Sequence, residues 1–134
     1  MINLMNYGII ETESLKKESI LSDFNVLKSQ LIKPIESTNN GVWHTNLLLI
    51  DDESIINTIQ TIEKNMKDGW FGAVFNQKYY FLIFRNKTFE LSVVKDVESN
   101  VYKEAQKYAT EHGVQAIYIN FYDNLMEYIS FISE

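Results

Sequence analysis

The sequence has no cysteine, which excludes disulfides, thiolate catalysis, iron–sulfur clusters and cysteine-based zinc sites. It has one proline and no Pro/Gly/Ser-rich linker, repeat or low-complexity tract, so a single domain over 1–134 is the simplest partition. No apolar run approaches the ~20 residues needed to span a bilayer, so no membrane association is expected. The chain opens at Met1 without a basic segment followed by an apolar run, so no secretory signal is expected and a cytoplasmic location fits. Basic charge is also scarce. Twelve Lys and Arg stand against eighteen Asp and Glu, for a net charge of −6, and Lys16-Lys17 is the one adjacent basic pair. Such a chain is not drawn to phosphate backbones, so no nucleic-acid partner is expected. No GxGxxG, Walker, HExxH, GxSxG or EF-hand pattern occurs. No cofactor and no metal site is therefore expected.

Apolar material is plentiful: 46% of residues are hydrophobic and 13% aromatic. That suffices for a real core at this length. The pattern predicts an α+β fold, mainly an antiparallel sheet of five to six strands with two main helices packed on it and a short C-terminal helix. Strands are expected over Leu4–Ile10, Val26–Ile35 (an edge or half-buried strand, with Pro34 near its end fitting an edge) and Val42–Ile50, and a turn over Ser37–Gly41. A short helix is expected over Ser14–Phe24. Asp51-Asp52-Glu53-Ser54 opens a helix whose stripe is Ile55, Ile59, Ile62 and Met66, stopped by Gly69. Trp70–Phe75, Lys78–Phe84 and Thr88–Val94 should form a meander with turns at Asn76-Gln77 and Asn86-Lys87, because asparagine tolerates positive φ. A second helix is expected over Val97–His112, a last strand over Val114–Phe121, and a terminal helical stripe through Leu125, Tyr128, Ile129 and Ile132.

Candidate functional residues are few. His44, beside Trp43, could act as a general base or bind a ligand. It also reads as a polar residue on a strand's outer face, and no second histidine stands at ligand spacing. His112 before Gly113 suits a helix C-terminal cap. Asp51-Asp52-Glu53 could hold a hard cation, yet a helix start explains the acids. Gly69-Trp70-Phe71-Gly72 is the most unusual string: Gly72 lets a backbone or a ligand approach closely, and the rings could line a pocket mouth or anchor the core. Trp43, His44, Trp70 and Tyr79 are the expected pocket lining. Arg85 and Lys87 at a hairpin tip could bind an anion or simply be solvated. Tyr79–Phe84 is apolar on both faces, so each face must meet protein or become an association patch.

Trp43-His44, Gly69-Trp70-Phe71 and Phe84-Arg85-Asn86-Lys87-Thr88-Phe89 together resemble a family of small uncharacterised bacterial and archaeal proteins. The likeness covers about a third of the chain. It implies a compact α+β fold and no assigned activity. Relatives often carry a histidine where this chain has Ala73. Three functions follow as expectations. The first is a non-catalytic binding or interaction domain that self-associates through an aromatic sheet face or edge, with an unknown protein partner or small ligand. The second is a small-molecule binder or enzyme with a pocket near Gly69–Gly72. The third is an acidic mimic of nucleic acid, disfavoured because acids and cations alternate, as in Lys16-Lys17-Glu18 and Lys103-Glu104.

Overall fold

The computed structural model describes residues 5–32 and 43–134. Pro34, the Ser37–Gly41 turn and the outer ends of the strands expected from Leu4, to Ile35 and from Val42 lie outside them. The described residues form a six-stranded antiparallel sheet: β1 (Asn6–Glu11), β2 (Asn25–Ile32), β3 (Trp43–Ile50), β4 (Gly72–Phe75), β5 (Tyr80–Phe84) and β6 (Lys87–Leu91), in the order β2-β3-β1-β4-β5-β6. Three α-helices accompany it: α1 (Ile55–Asn65), α2 (Asn100–Glu111) and α3 (Phe121–Ser133). The α+β expectation is met.

Strand alternation sorts the apolar side chains into two cores, one on each face of the sheet. Ile10, Leu48, Ile50, Val74 and Ile83 pack with Ile55, Ile59 and Ile62 of α1 and with Leu15, Ile20 and Met66. Ile9, Leu47, Phe75, Tyr80, Leu82 and Phe84 pack with α2 and α3 through Tyr102, Ala105, Ala109, Phe121, Tyr122, Leu125 and Phe131. Helices therefore cover the sheet from both sides. Tyr80, inside the second core, donates its hydroxyl to the Phe121 carbonyl at 2.7 Å, and burial pushes its pKa well up. Tyr80→Phe removes that donor. It should cost about 1–2 kcal/mol in urea unfolding, with an unchanged m-value.

The hairpin signals hold. Asn76 Oδ1 accepts the amides of Lys78 and Tyr79, closing the β4–β5 turn. Asn86 takes φ 59° between Phe84 and Lys87, which pair across the tight β5–β6 turn. Two expectations are corrected. Ser14–Phe24 is not one helix but two 3-10 segments, Thr12–Ser14 and Glu18–Asp23. Between them Leu15 forms a β-bridge with Met66, flanked by Lys16 N→Asn65 O and Lys67 N→Ser14 O bonds, and a bridge cannot coexist with a helical turn. Val114–Phe121 is not a strand. Its amides close turns (Val114 N→Ala109 O, Tyr118 N→Gln115 O), Ala116–Tyr118 is a 3-10 turn, and α3 begins at Phe121.

Candidate functional site

The expected site residues fall at two ends of the sheet. Register places Glu11 opposite Thr45, so the end of β1 lies beside the start of β3. Trp43 opens β3, and Trp70 follows Gly69, whose φ of 86° turns the chain toward β4. The structure brings these tryptophans together, with ring centroids 5.2 Å apart at 61°. Tyr118 adds a third ring 5.1 Å from Trp43. At these separations the rings pack against one another, Trp43 and Trp70 edge to face and Trp43 and Tyr118 tilted. A cage that clasps a cation instead needs its rings spread around a gap.

Strand alternation points His44 to the opposite face from Trp43. There its Nδ1 lies 2.5 Å from Glu13 Oε2, while its backbone amide donates to Glu13 Oε1 at 2.8 Å. Lys67 Nζ donates to the Glu13 carbonyl at 3.1 Å. Desolvation pushes the Glu13 carboxyl up, but the hydrogen bonds from His44 outweigh it and hold the pKa below its ordinary value. The pair is a carboxylate-oriented imidazole with its side chain 56% exposed. Such an arrangement fixes the orientation of the ring. Sequence reasoning missed Glu13, since only the β1–β3 register brings residues thirty-one apart into contact.

One strand position away, Glu11 carries the most perturbed carboxyl. The residue keeps intermediate exposure, but packed protein strips water from its carboxylate and pushes its pKa up to about 7. Its backbone and the Thr45 hydroxyl, at 3.5 Å, pull the other way, and Glu13 adds a small upward push.

Tyr79 sits at the far end of the sheet, beside Asn6. Its hydroxyl donates to Asn6 Oδ1 at 3.2 Å, as does Asn76 Nδ2 at 2.7 Å. Asn6 Nδ2 donates in turn to the Ile50 carbonyl and to Asp52 Oδ1. The structure thus joins Trp43 with Trp70, pairs His44 with Glu13 and separates Tyr79 from all three. His112 stacks on Tyr108 at 3.9 Å and bonds its carbonyl at the end of α2, a capping role. Arg85 bonds Asp68 at 2.9 Å.

The same far end holds a cleft of about 190 Å³. It opens between Asp23 and Phe24, before β2, and the residues that start α1, with Ile50 among its lining. Among the described residues no group of three His, Asp or Glu side chains could hold a metal, and no helix is long and apolar enough to cross a membrane. No family model, curated protein or solved structure matches the chain. The fold and its side chains therefore carry the functional reading alone.

Proposed function

We propose that the protein is a non-catalytic binding domain that associates with a second copy of itself through the part of its sheet that α1 leaves open. One observation supports this reading. On the α1 side of β5, Tyr79 and Phe81 remain only half-buried, with their rings 4.9 Å apart. Glu63 of α1 accepts a hydrogen bond from Thr88 of β6, so the flank of α1 carrying Glu63 faces the β6 edge. Ile56 lies two turns earlier on that flank and is 72% exposed. An isoleucine this exposed, on the helix flank that faces the same edge of the sheet as two half-buried rings, leaves apolar surface that a second molecule would cover.

The polar residues fit the same reading. His44 and Glu13 satisfy each other, Asn6 is bonded to Asp52, Asn76 and Tyr79, and Asn46 links Ser29, Ile10 and Thr12. Groups bonded this way specify the fold. Sedimentation equilibrium at micromolar concentration tests the proposal. The wild type is expected to dimerise, and Ile56→Glu to weaken dimerisation about tenfold or more by burying an unpaired charge. A strictly monomeric wild type, or a dimer indifferent to Ile56→Glu, would refute it.

A further inference from the structure

Strand alternation puts Glu11 and Thr45 on the sheet face that carries Ile9 and Leu47, the face that α2 and α3 cover. A carboxylate therefore stands at a helix–sheet interface built of apolar side chains. Glu13, Asp52, Glu63 and Asp68 each have a close partner, in His44, Asn6, Thr88 and Arg85. Glu11 has none so close. Among the described residues no cation pairs with it, and its side-chain hydrogen bond from Thr45 Oγ1 is 3.5 Å long, beyond the usual range. The titratable groups that face it do not neutralise its charge either. They are Glu13 from the 3-10 turn after β1 and Tyr128 from α3, with Glu127 beside Tyr128. His44 on β3 is taken by Glu13.

The helix above this acid is held unevenly. The first half of α3 is anchored. Phe121, Tyr122 and Leu125 are buried, Tyr80 donates to the Phe121 carbonyl and Tyr122 to the Ser92 carbonyl, each at 2.7 Å, and Asn124 donates to the Tyr118 carbonyl at 2.8 Å. The second half has less. Phe131 is its one buried residue, Tyr128 and Ile132 are half-buried, and its polar tie is an exposed one, Lys28 Nζ to the Glu134 carbonyl at 3.0 Å. Tyr128, stacked on Phe75 at 6.0 Å, is the residue of this half that Glu11 reaches electrostatically. A buried charge without a partner is relieved most readily where the cover is weakest. We propose that Glu11 and the second half of α3 form a proton-operated latch: with the carboxyl protonated, residues 128–133 lie on the sheet, and loss of the proton releases them. Release lets water reach the carboxylate and uncovers the ring of Phe75. The sign follows from burial. Covered, the carboxyl stays neutral up to about pH 7, whereas in water it ionises near the ordinary 4.5. Opening is least favoured below 4.5, rises about tenfold per pH unit through that window and levels off above 7. The latch lies on the opposite face of the sheet from Tyr79 and Phe81 and does not rest on self-association.

The test is amide hydrogen exchange of the ¹⁵N-labelled full chain, followed by NMR between pH 5 and pH 8 and corrected for intrinsic exchange. The amides of residues 128–133 are expected to lose protection about thirtyfold between pH 5 and pH 7 and to level off above it. At each pH they should be less protected than Ile59 and Ile62 of α1, because the release is local. Glu11→Gln should abolish the pH dependence. Thr45→Val, nearly isosteric, removes the bond that favours the charged form, so it should carry the levelling-off to higher pH. That shift keeps the test valid if Glu11→Gln disturbs the fold. The proposal is overturned if residues 128–133 keep the same protection from pH 5 to pH 8, if they open only together with Ile59 and Ile62, or if Glu11→Gln retains the wild-type pH dependence.

Discussion

Gly72→Ala is expected to destabilise the protein by about 3 kcal/mol, seen as a lower denaturation midpoint with the m-value kept. A Cβ built at Gly72 would lie 2.7 Å from Ile10 Cγ2 and 3.2 Å from the Ile9 carbonyl oxygen. Neither can yield easily. The first belongs to a stiff β-branched side chain in the core, the second to the backbone of the neighbouring strand. The close approach that a glycine permits here is made by the protein's own β1. Gly8→Ala is the internal comparison. Its nearest contacts are the Cδ1 atoms of Ile50 and Leu48, at 3.1 and 3.2 Å, and Leu48 Cβ at 3.3 Å, so nothing stands as close as Ile10 Cγ2 does at Gly72 and the two tightest contacts are flexible side-chain ends. It should cost no more than about 1 kcal/mol. Equal costs at the two positions would show that backbone crowding at Gly72 is not the cause.

Glu11 should make the protein's stability fall as pH rises from about 4.5 to 7. Its folded pKa of about 7 lies above the ordinary 4.5, chiefly because burial penalises the charged form. The group therefore stabilises the fold fully below pH 4.5, and that contribution is lost as pH rises through 7. The groups that face it include the Thr45 hydroxyl from β3 and the Glu13 carboxylate. Tyr128 of α3 is near enough for the Glu11 charge to help raise its pKa, after desolvation. Other carboxylates titrate in the same range, so the informative quantity is a difference. Glu11→Gln should match the wild type near pH 4 and exceed it by roughly 2 kcal/mol at pH 8. A stability difference independent of pH would remove Glu11 from this role.

What the sequence made legible was local. The Ile55–Ile62 stripe, the Asn76 and Asn86 turns and the meander depend on residues within a few positions of one another, and all appear where expected. Long-range bonds were not legible. Nothing near Leu15 announces its bridge to Met66, and nothing near His44 announces Glu13. The candidate site divided for the same reason. Trp43 and Trp70 meet because β1 lies between β3 and β4, while Tyr79 follows Asn76 to the Asn6 end. The acids at 51–53 suit a helix start by their residue types. Only the structure shows Asp51 uncapped and beside Asp23, a residue from another segment of the chain.

The position of β1 between β3 and β4 has a consequence for how the chain is made. Of the six strands, β1 leaves the ribosome first, yet it pairs with residues 45–50 on one side and 73–75 on the other. Its two apolar faces, Ile9 and Ile10, must wait for β3, and its second edge must wait until α1 and β4 have followed. Contacts of such long sequence separation slow folding and leave an unpaired edge open meanwhile. Synthesis thus runs against assembly: the strand that completes the middle of the sheet is translated before either of its partners exists.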